Sequence, residues 1–278
     1  MLEFGFGIAD MANVRFSVSP MDQILGAAAR SEHSCIGTSI NHARWWRQAK
    51  RHVPRRAAPL FDLVNASFRG IPDFLDIEGC HRLTDSLDAI LAVPETLLHA
   101  DLASYDLEPK LPRVVAELRD AGPRQLRRIA DGAWALFRAC LEPDWPDIQR
   151  LLQSDIADHA RTAAESGTGS MLDRLHPKLA WREEGVLQYA TPELDATCDL
   201  GGRGLQLRPS FFLQDGIVAI PDERRPTALL YPIGTRRTEQ KPTDRDGLAD
   251  LIGPAEPGPC VRSAGTRAPP PSSPNVSA

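Results

Sequence analysis

Metal ligands are the first chemistry to test, because the chain has five cysteines and seven histidines. No two cysteines lie two to four residues apart, as they would in a structural zinc site. His33 with Cys35 and Cys80 with His81 could each offer two ligands, but single neighbours of this kind arise by chance. The spacing therefore predicts no metal site and free thiols in a reducing compartment. The cysteines are Cys35, Cys80, Cys140, Cys198 and Cys260.

Nucleophilic and acid–base chemistry also lacks a signature in the sequence. Ser170 lies in GTGSM, which has no glycine two residues after the serine and so does not match the nucleophile elbow of hydrolases. Asp155 and Asp158 are about one helical turn apart in an arginine-containing segment, a pattern typical of a solvent-exposed helix face. We therefore expect no catalytic residues and no cofactor, and we predict that the chain is not an enzyme.

The glycine-rich sequence from Gly201 to Gly204, GGRG, raises the question of a phosphate-binding loop. Such a loop would open a helix and be followed by Lys and then Ser or Thr. Here it is followed by Leu205, Gln206 and Leu207, which alternate as in a strand. The sequence therefore predicts a hairpin turn at this position.

A basic segment with aromatic residues, RWWRQAKRHVPRR, runs from Arg44 to Arg56. Such a composition can bind phosphates and stack on bases. On a helix, however, the arginines would face water while an apolar stripe faces the core, and we favour this second interpretation. The stripe would consist of Ile40, Ala43, Trp46 and Trp45. The net charge of −5 also argues against a strong autonomous nucleic-acid binder.

The elements around these residues divide the chain into three regions. Residues 2–7 and 13–18 alternate as strands, and Ser19 with Pro20 indicates the beginning of a helix. Residues 20–176 have helical spacing and include a long helix over 144–166 that ends at Gly167. Beyond Pro177, short apolar runs separated by turn residues predict a meander of about five strands. The fold class is α+β: a mostly helical domain with a small antiparallel sheet, which the meander forms and the N-terminal strands join.

The composition also bears on the compartment. No apolar run approaches the roughly 20 residues that a membrane-spanning helix needs. Glu3 and Asp10 lie where a secretory signal would be basic and then apolar. We therefore expect a cytoplasmic protein that does not contact a membrane.

Several motifs follow one another along the chain: LEFGFG, Ala9-Asp10, VRFSVSP, PDFL at 72–75, EPDWPDIQRLLQSDIADHAR, LDRLHPKLAW, LGGRGLQLRPSFF and PTALLYPIG. Taken in this order, they resemble an actinobacterial family of ArsR-type, winged-helix transcription regulators that have an N-terminal domain of unknown function. The resemblance covers roughly residues 1–252.

The resemblance implies a bacterial transcription regulator in which residues 1–232 form a sensing or oligomerising α+β domain. Residues 233–252 would be a linker and the beginning of a winged-helix module. The Pro- and Ser-rich residues 253–278 are expected to form a disordered tail. Family members continue into a winged helix-turn-helix that enters the DNA major groove. We expect this chain to be truncated before that module, through a frameshift, a gene-call error or natural truncation, so we assign no DNA-binding residue.

The partners implied by the resemblance are a second copy of the chain, an unidentified small-molecule effector, and DNA only through the missing module. The alternative is a stand-alone small-molecule binding domain or an enzyme of unknown reaction. A deep pocket lined by convergent polar groups would favour that alternative.

Overall fold

The computed structural model describes residues 1–29, 40–66, 71–77, 82–103, 105, 111–191, 195–213, 216–222 and 224–234, without the side chains of residues 40–42. The helices are α1 (Ile8–Ala12), α2 (Pro20–Ala28), α3 (Ile40–Ala49), α4 (Ala58–Val64), α5 (Leu83–Leu91), α6 (Glu95–Leu102), α7 (Arg113–Asp120), α8 (Gly122–Leu136), α9 (Trp145–Ser166) and α10 (Thr168–Asp173). Short 3₁₀ turns cover Arg55–Ala57, Asp73–Leu75 and Glu142–Asp144, and a π-helical turn, Phe137–Leu141, extends α8.

The strands are short and lie mainly in the last third of the described chain. They are β1 (Leu2–Gly5), β2 (Arg15–Phe16), β3 (Leu179–Arg182), β4 (Val186–Tyr189), β5 (Ala196–Asp199), β6 (Leu205–Ser210), β7 (Val218–Ile220) and β8 (Thr227–Pro232). The predicted α+β class, mostly helical with N-terminal strands that join later ones, is confirmed.

Two helix ends lie where local sequence signals predict them, at the beginning of α2 and at the end of α9. Ser19 caps α2 by accepting a hydrogen bond from the Asp22 backbone N–H over 3.3 Å, and Pro20 occupies the first helical position. The long helix predicted over 144–166 is α9, and it ends immediately before Gly167.

Helix α8 lies at the centre of the helical layer. It contacts α2, α4, α5, α7 and the Arg55–Ala57 turn. Its amphipathic spacing places Leu126, Ile129 and Ala133 in the core, where they pack with residues such as Leu60 and Ile90. This apolar cluster is distinct from a second one that lies around the strands.

The strands form two sheets, whereas the sequence predicted a single antiparallel one. The first has the order β3-β4-β1-β5, in which β1 runs antiparallel to β4 and parallel to β5. The second has the order β2-β6-β8-β7, in which β6 is parallel to both β2 and β8. Each sheet contains both parallel and antiparallel strand pairs, so both sheets are mixed. The two N-terminal strands, which helix α1 separates along the chain, join different sheets.

The glycine-rich loop is not the predicted hairpin turn, because it connects β5 of the first sheet to β6 of the second. Strand β5 itself was not predicted. The buried Asp10 of α1 accepts hydrogen bonds from the backbone N–H groups of Gly7 (2.9 Å) and Gly204 (3.0 Å). Asn13 donates to the Gly202 carbonyl over 3.2 Å. Helix α1 thus holds the loop that joins the sheets.

The described residues belong to one compact unit. The linker and tail predicted at 233–252 and 253–278 lie almost entirely outside the described residues, so these boundaries stay predictions. Within the described part of the chain, no helix combines the length and the apolar character needed to cross a membrane.

Gly204 provides a test of the loop. Its φ is +81°, and an added Cβ would overlap the Asn13 carbonyl, so Gly204→Ala combines left-handed strain with a clash. We expect the free energy of unfolding to fall by at least about 2 kcal/mol, measured by urea denaturation. Gly5→Ala is the control, because a Cβ there meets nothing within 4 Å. Equal stabilities of the two variants would contradict the close contact.

Candidate functional site

Strand β6 is buried on both faces, although every second residue in its centre is polar. Leu205 and Leu207 pack into the cluster around the strands. Because successive side chains alternate, Gln206, Arg208 and Ser210 lie on the opposite face. That face also contacts α2, and Arg208 is only 2% exposed. A buried guanidinium needs carboxylate and carbonyl partners, so its surroundings are strongly constrained.

The partners of Arg208 come from distant parts of the chain. Arg208 forms a close ion pair with Asp76 and donates to Gln206 Oε1 over 2.8 Å. Arg225 Nη2 lies 3.5 Å from Asp76 Oδ2, and Arg225 Nε donates to Asp222 Oδ2 over 2.6 Å. With Asp22, which lies 3.6 Å from Arg208 Nη1, these side chains form the Arg208 network: Asp22, Asp76, Arg208, Asp222 and Arg225.

Two elements hold the carboxylates of this network in position. Asp76 directly follows the Asp73–Leu75 turn, and Asp101 of α6 fixes this turn by accepting a 2.9 Å hydrogen bond from the Phe74 backbone N–H. Asp22 lies on α2 beside Gln23, which donates to the Pro209 carbonyl (3.0 Å) and accepts from the Phe211 N–H (3.0 Å). Gln23 therefore locks α2 to the end of β6.

Among the carboxylates of the Arg208 network, Asp22 has the fewest contacts to compensate for the burial of its charge. Its Oδ2 is buried and has no hydrogen-bond partner among the described groups. Burial raises the pKa of Asp22 to about 7, against the opposing effect of Arg208 and with a further increase from Asp76. With Asp22 protonated, the Arg208 network holds two carboxylates and two guanidinium groups, so its charges balance.

A second buried polar group joins α9 to the second sheet. Tyr231 of β8 donates a 2.9 Å hydrogen bond to Asp155 Oδ2, and His159 Nε2 lies 3.6 Å from the same oxygen. Phe16 stacks on the His159 ring at 6.3 Å. Burial lowers the pKa of His159, with Asp155 opposing it, and burial together with the Asp155 charge raises the pKa of Tyr231.

The exposed face predicted for Asp155 was therefore wrong. Asp155 and His159 continue the buried stripe of α9 that begins with Ile148 and Leu152, at spacings of four, three and four residues. That spacing was visible in the sequence, whereas the partner Tyr231, 76 residues away, was not. Asp158 lies on the wetter side and pairs with Arg161 over 2.9 Å.

The basic segment splits into two elements. Its first part forms α3, where Trp45 is buried and donates to the Cys140 carbonyl over 3.2 Å, while Arg44 and Arg47 are exposed. Ala43 is exposed, contrary to the predicted stripe. The helix ends at Ala49, and the last two arginines, Arg55 and Arg56, lie on the 3₁₀ turn that follows.

These two arginines line a cleft of about 1090 Å³ between the Arg55–Ala57 turn, α4, α7 and α8. Arg113 of α7 and Arg128 of α8 line it too. We call it the arginine cleft. Its other polar lining groups are Asp62, Asn65, Glu117, Gln125 and Asp131.

Glu117 organises one wall of the arginine cleft. It accepts hydrogen bonds from Arg113 Nε (2.8 Å), Gln125 Nε2 (3.0 Å) and Arg128 Nη1 (3.4 Å). Arg128 also donates to Gln125 Oε1 over 2.9 Å. One carboxylate thus contacts two guanidinium groups, and the Arg113 and Arg128 side chains remain 92% and 55% exposed to solvent.

The two kinds of site differ in what they can do. The Asp155–His159–Tyr231 group and the Asp22, Asp76 and Arg208 side chains are buried in protein, so they connect elements. Asp222 and Arg225 lie at the partly exposed edge of the Arg208 network. The arginine cleft is open and can admit a ligand. Within the residues that the structure covers, no cluster of three or more potential metal ligands occurs. Cys140 and Cys198 are free thiols, and His33, Cys35, Cys80, His81 and Cys260 lie outside the described residues.

No protein-family model, curated protein or solved structure gives a significant match to this chain.

The Arg208 network predicts an unusual pH dependence of stability. The pKa of Asp22 is higher in the folded state (about 7) than the unperturbed value of 3.8, so folding takes up a proton between these values. The free energy of unfolding should therefore fall as pH rises from about 4 to 7, by up to about 1.4 kcal/mol per pH unit from this group.

Asp22→Asn should remove that contribution and make the pH dependence less steep, measured by urea denaturation between about pH 4 and 7. Asp88→Asn, on the exposed face of α5, is the matched control and should keep the wild-type slope. Identical slopes for wild type and Asp22→Asn would show that Asp22 is already ionised in the folded protein.

Proposed function

We propose that this chain is a transcription regulator of the ArsR-type family, and that its described part is a domain that senses a small-molecule effector and forms a dimer. The support for the family is the order of the motifs from LEFGFG to PTALLYPIG. DNA reading is assigned to no described residue.

One structural observation favours a shared, constrained domain over a chance likeness of short motifs. The motifs are far apart in the chain, yet residues within them or directly after them meet. VRFSVSP leads into α2 with Asp22, PDFL precedes Asp76, and LQLRPS contains Arg208. The helix motif supplies Asp155, whose partner Tyr231 lies in PTALLYPIG. Segments that carry the motifs are therefore also segments that contact one another in the fold, which supports the proposal.

The arginine cleft is the proposed effector site. It lies in the helical layer, where its walls come from four separate elements, so a ligand bound there would bridge the Arg55–Ala57 turn, α4, α7 and α8. Such bridging gives the ligand a way to stabilise one arrangement of these helices over another.

The same cleft also favours a second candidate, a small-molecule binding domain that works without DNA. Its volume is comparable with that of ligand pockets, and several polar groups converge on it. The two candidates differ in whether promoters are occupied, so one experiment separates them.

That experiment combines deletion of the gene in its host with chromatin immunoprecipitation of the tagged chain. We expect the deletion to change transcripts of a small set of genes. A tagged version of the chain joined to the winged-helix module encoded in any frame beyond the Gly253 codon should restore these transcripts and be enriched at their promoters. Untagged cells are the control for enrichment. Unchanged transcripts, or changed transcripts without promoter enrichment, would contradict direct regulation and favour the second candidate.

Dimer formation is tested separately by sedimentation velocity. The chain has a mass of 30.5 kDa, and we expect a species of twice this mass at micromolar concentrations. This proposal depends on the resemblance, because the apolar stripe of α9 is used inside the domain. A stable monomer at tens of micromolar would rule it out.

A further inference from the structure

We infer that the arginine cleft binds a small oxyanion, a carboxylate or phosphate group, through Arg55, Arg56 and Arg113. The inference deepens the sensing part of the proposed function by giving the chemical class of the effector. It concerns binding by the isolated chain, so it can be tested independently of transcription.

The first argument is the supply of unused donors. Of the donors of Arg113, only the Nε–H is used, in its hydrogen bond to Glu117. The Nη groups of Arg113 donate no hydrogen bond to a described residue. Arg55 and Arg56 are exposed, and their guanidinium groups form no ion pair with a described residue. Because each guanidinium presents its donors in a planar fork that matches two oxygens, these groups suit carboxylate or phosphate better than a neutral ligand.

The second argument is rigidity at the base of Arg55 and Arg56. Their 3₁₀ turn packs directly on α8 at Gly132, where an added Cβ would lie 2.9 Å from the Arg56 carbonyl oxygen. Ala57, the last residue of the turn, is fully buried. The two backbones are therefore fixed, and only side-chain freedom remains to be lost when a ligand binds.

The charges of the cleft limit the number of negative groups that a bound ligand can carry. Four guanidinium groups face three carboxylates, and Glu117 is already engaged by Arg113 and Arg128. The remaining carboxylates, Asp62 and Asp131, would repel further negative groups. A ligand with one or two anionic groups fits this balance, whereas a nucleic-acid backbone would bring several phosphates against them.

The test is calorimetric titration of the full chain with inorganic phosphate and, in parallel, with succinate, with sodium chloride at equal ionic strength as the blank. We expect one of the two anions to bind at millimolar concentration or below. The arm that binds tells phosphate from carboxylate recognition. The double variant Arg55→Gln/Arg56→Gln should weaken that binding at least about tenfold.

The matched control is Arg124→Gln/Arg127→Gln, which removes the same charge from exposed positions of α8 that do not line the cleft. It should bind like the wild type, and circular dichroism should show that both double variants are folded. The inference is overturned if neither anion binds, or if both double variants weaken binding equally. Anion binding with unchanged transcripts would refute the regulator proposal and leave the cleft assignment intact.

Discussion

The burial of Arg208 is the constraint on which the rest of the fold depends. A guanidinium that is 2% exposed on a central strand must be surrounded by acceptors, and the chain supplies them from α2, the segment after the Asp73–Leu75 turn and β6 itself. Removing one partner of such a buried pair typically costs about 3–5 kcal/mol, although apolar replacement of the whole group can be neutral. The network therefore contributes specificity: it determines which helix face and which turn lie against β6.

The position of the network explains why the domain holds together with two sheets. The first sheet connects to the second through the loop before β6, which α1 holds through Asp10 and Asn13. The second sheet connects to the helical layer twice, through Arg208 on one side and through Tyr231 on the other. Each connection is a buried polar contact with few permitted partners, so the layers cannot slide relative to one another without leaving a charge or hydroxyl unsatisfied.

Local features of the structure were predictable from sequence, and pairings were not. The Ser19 cap, the end of α9 and most strand positions follow from residue type and spacing over a few neighbours. The assignment of β1 and β2 to different sheets does not, because both alternate in the same way and their partners lie nearly two hundred residues away. Asp155 shows the same limit: its spacing marks it as buried, but only Tyr231 explains how burial is tolerated.

The arginine cleft illustrates how the same limit applies to function. In sequence, the arginines from 44 to 56 form one basic run. The prediction that they lie on a solvent-exposed helix face holds for the part in α3. In the fold, Arg55 and Arg56 lie on a turn outside that helix, in the same cleft as Arg113 of α7 and Arg128 of α8. Neither Arg113 nor Arg128 carries a signal in its own segment, because each has the pattern of an exposed charge on an amphipathic helix. The concave set of donors forms only where four such surfaces meet, so it is a property of the packing of the Arg55–Ala57 turn, α4, α7 and α8.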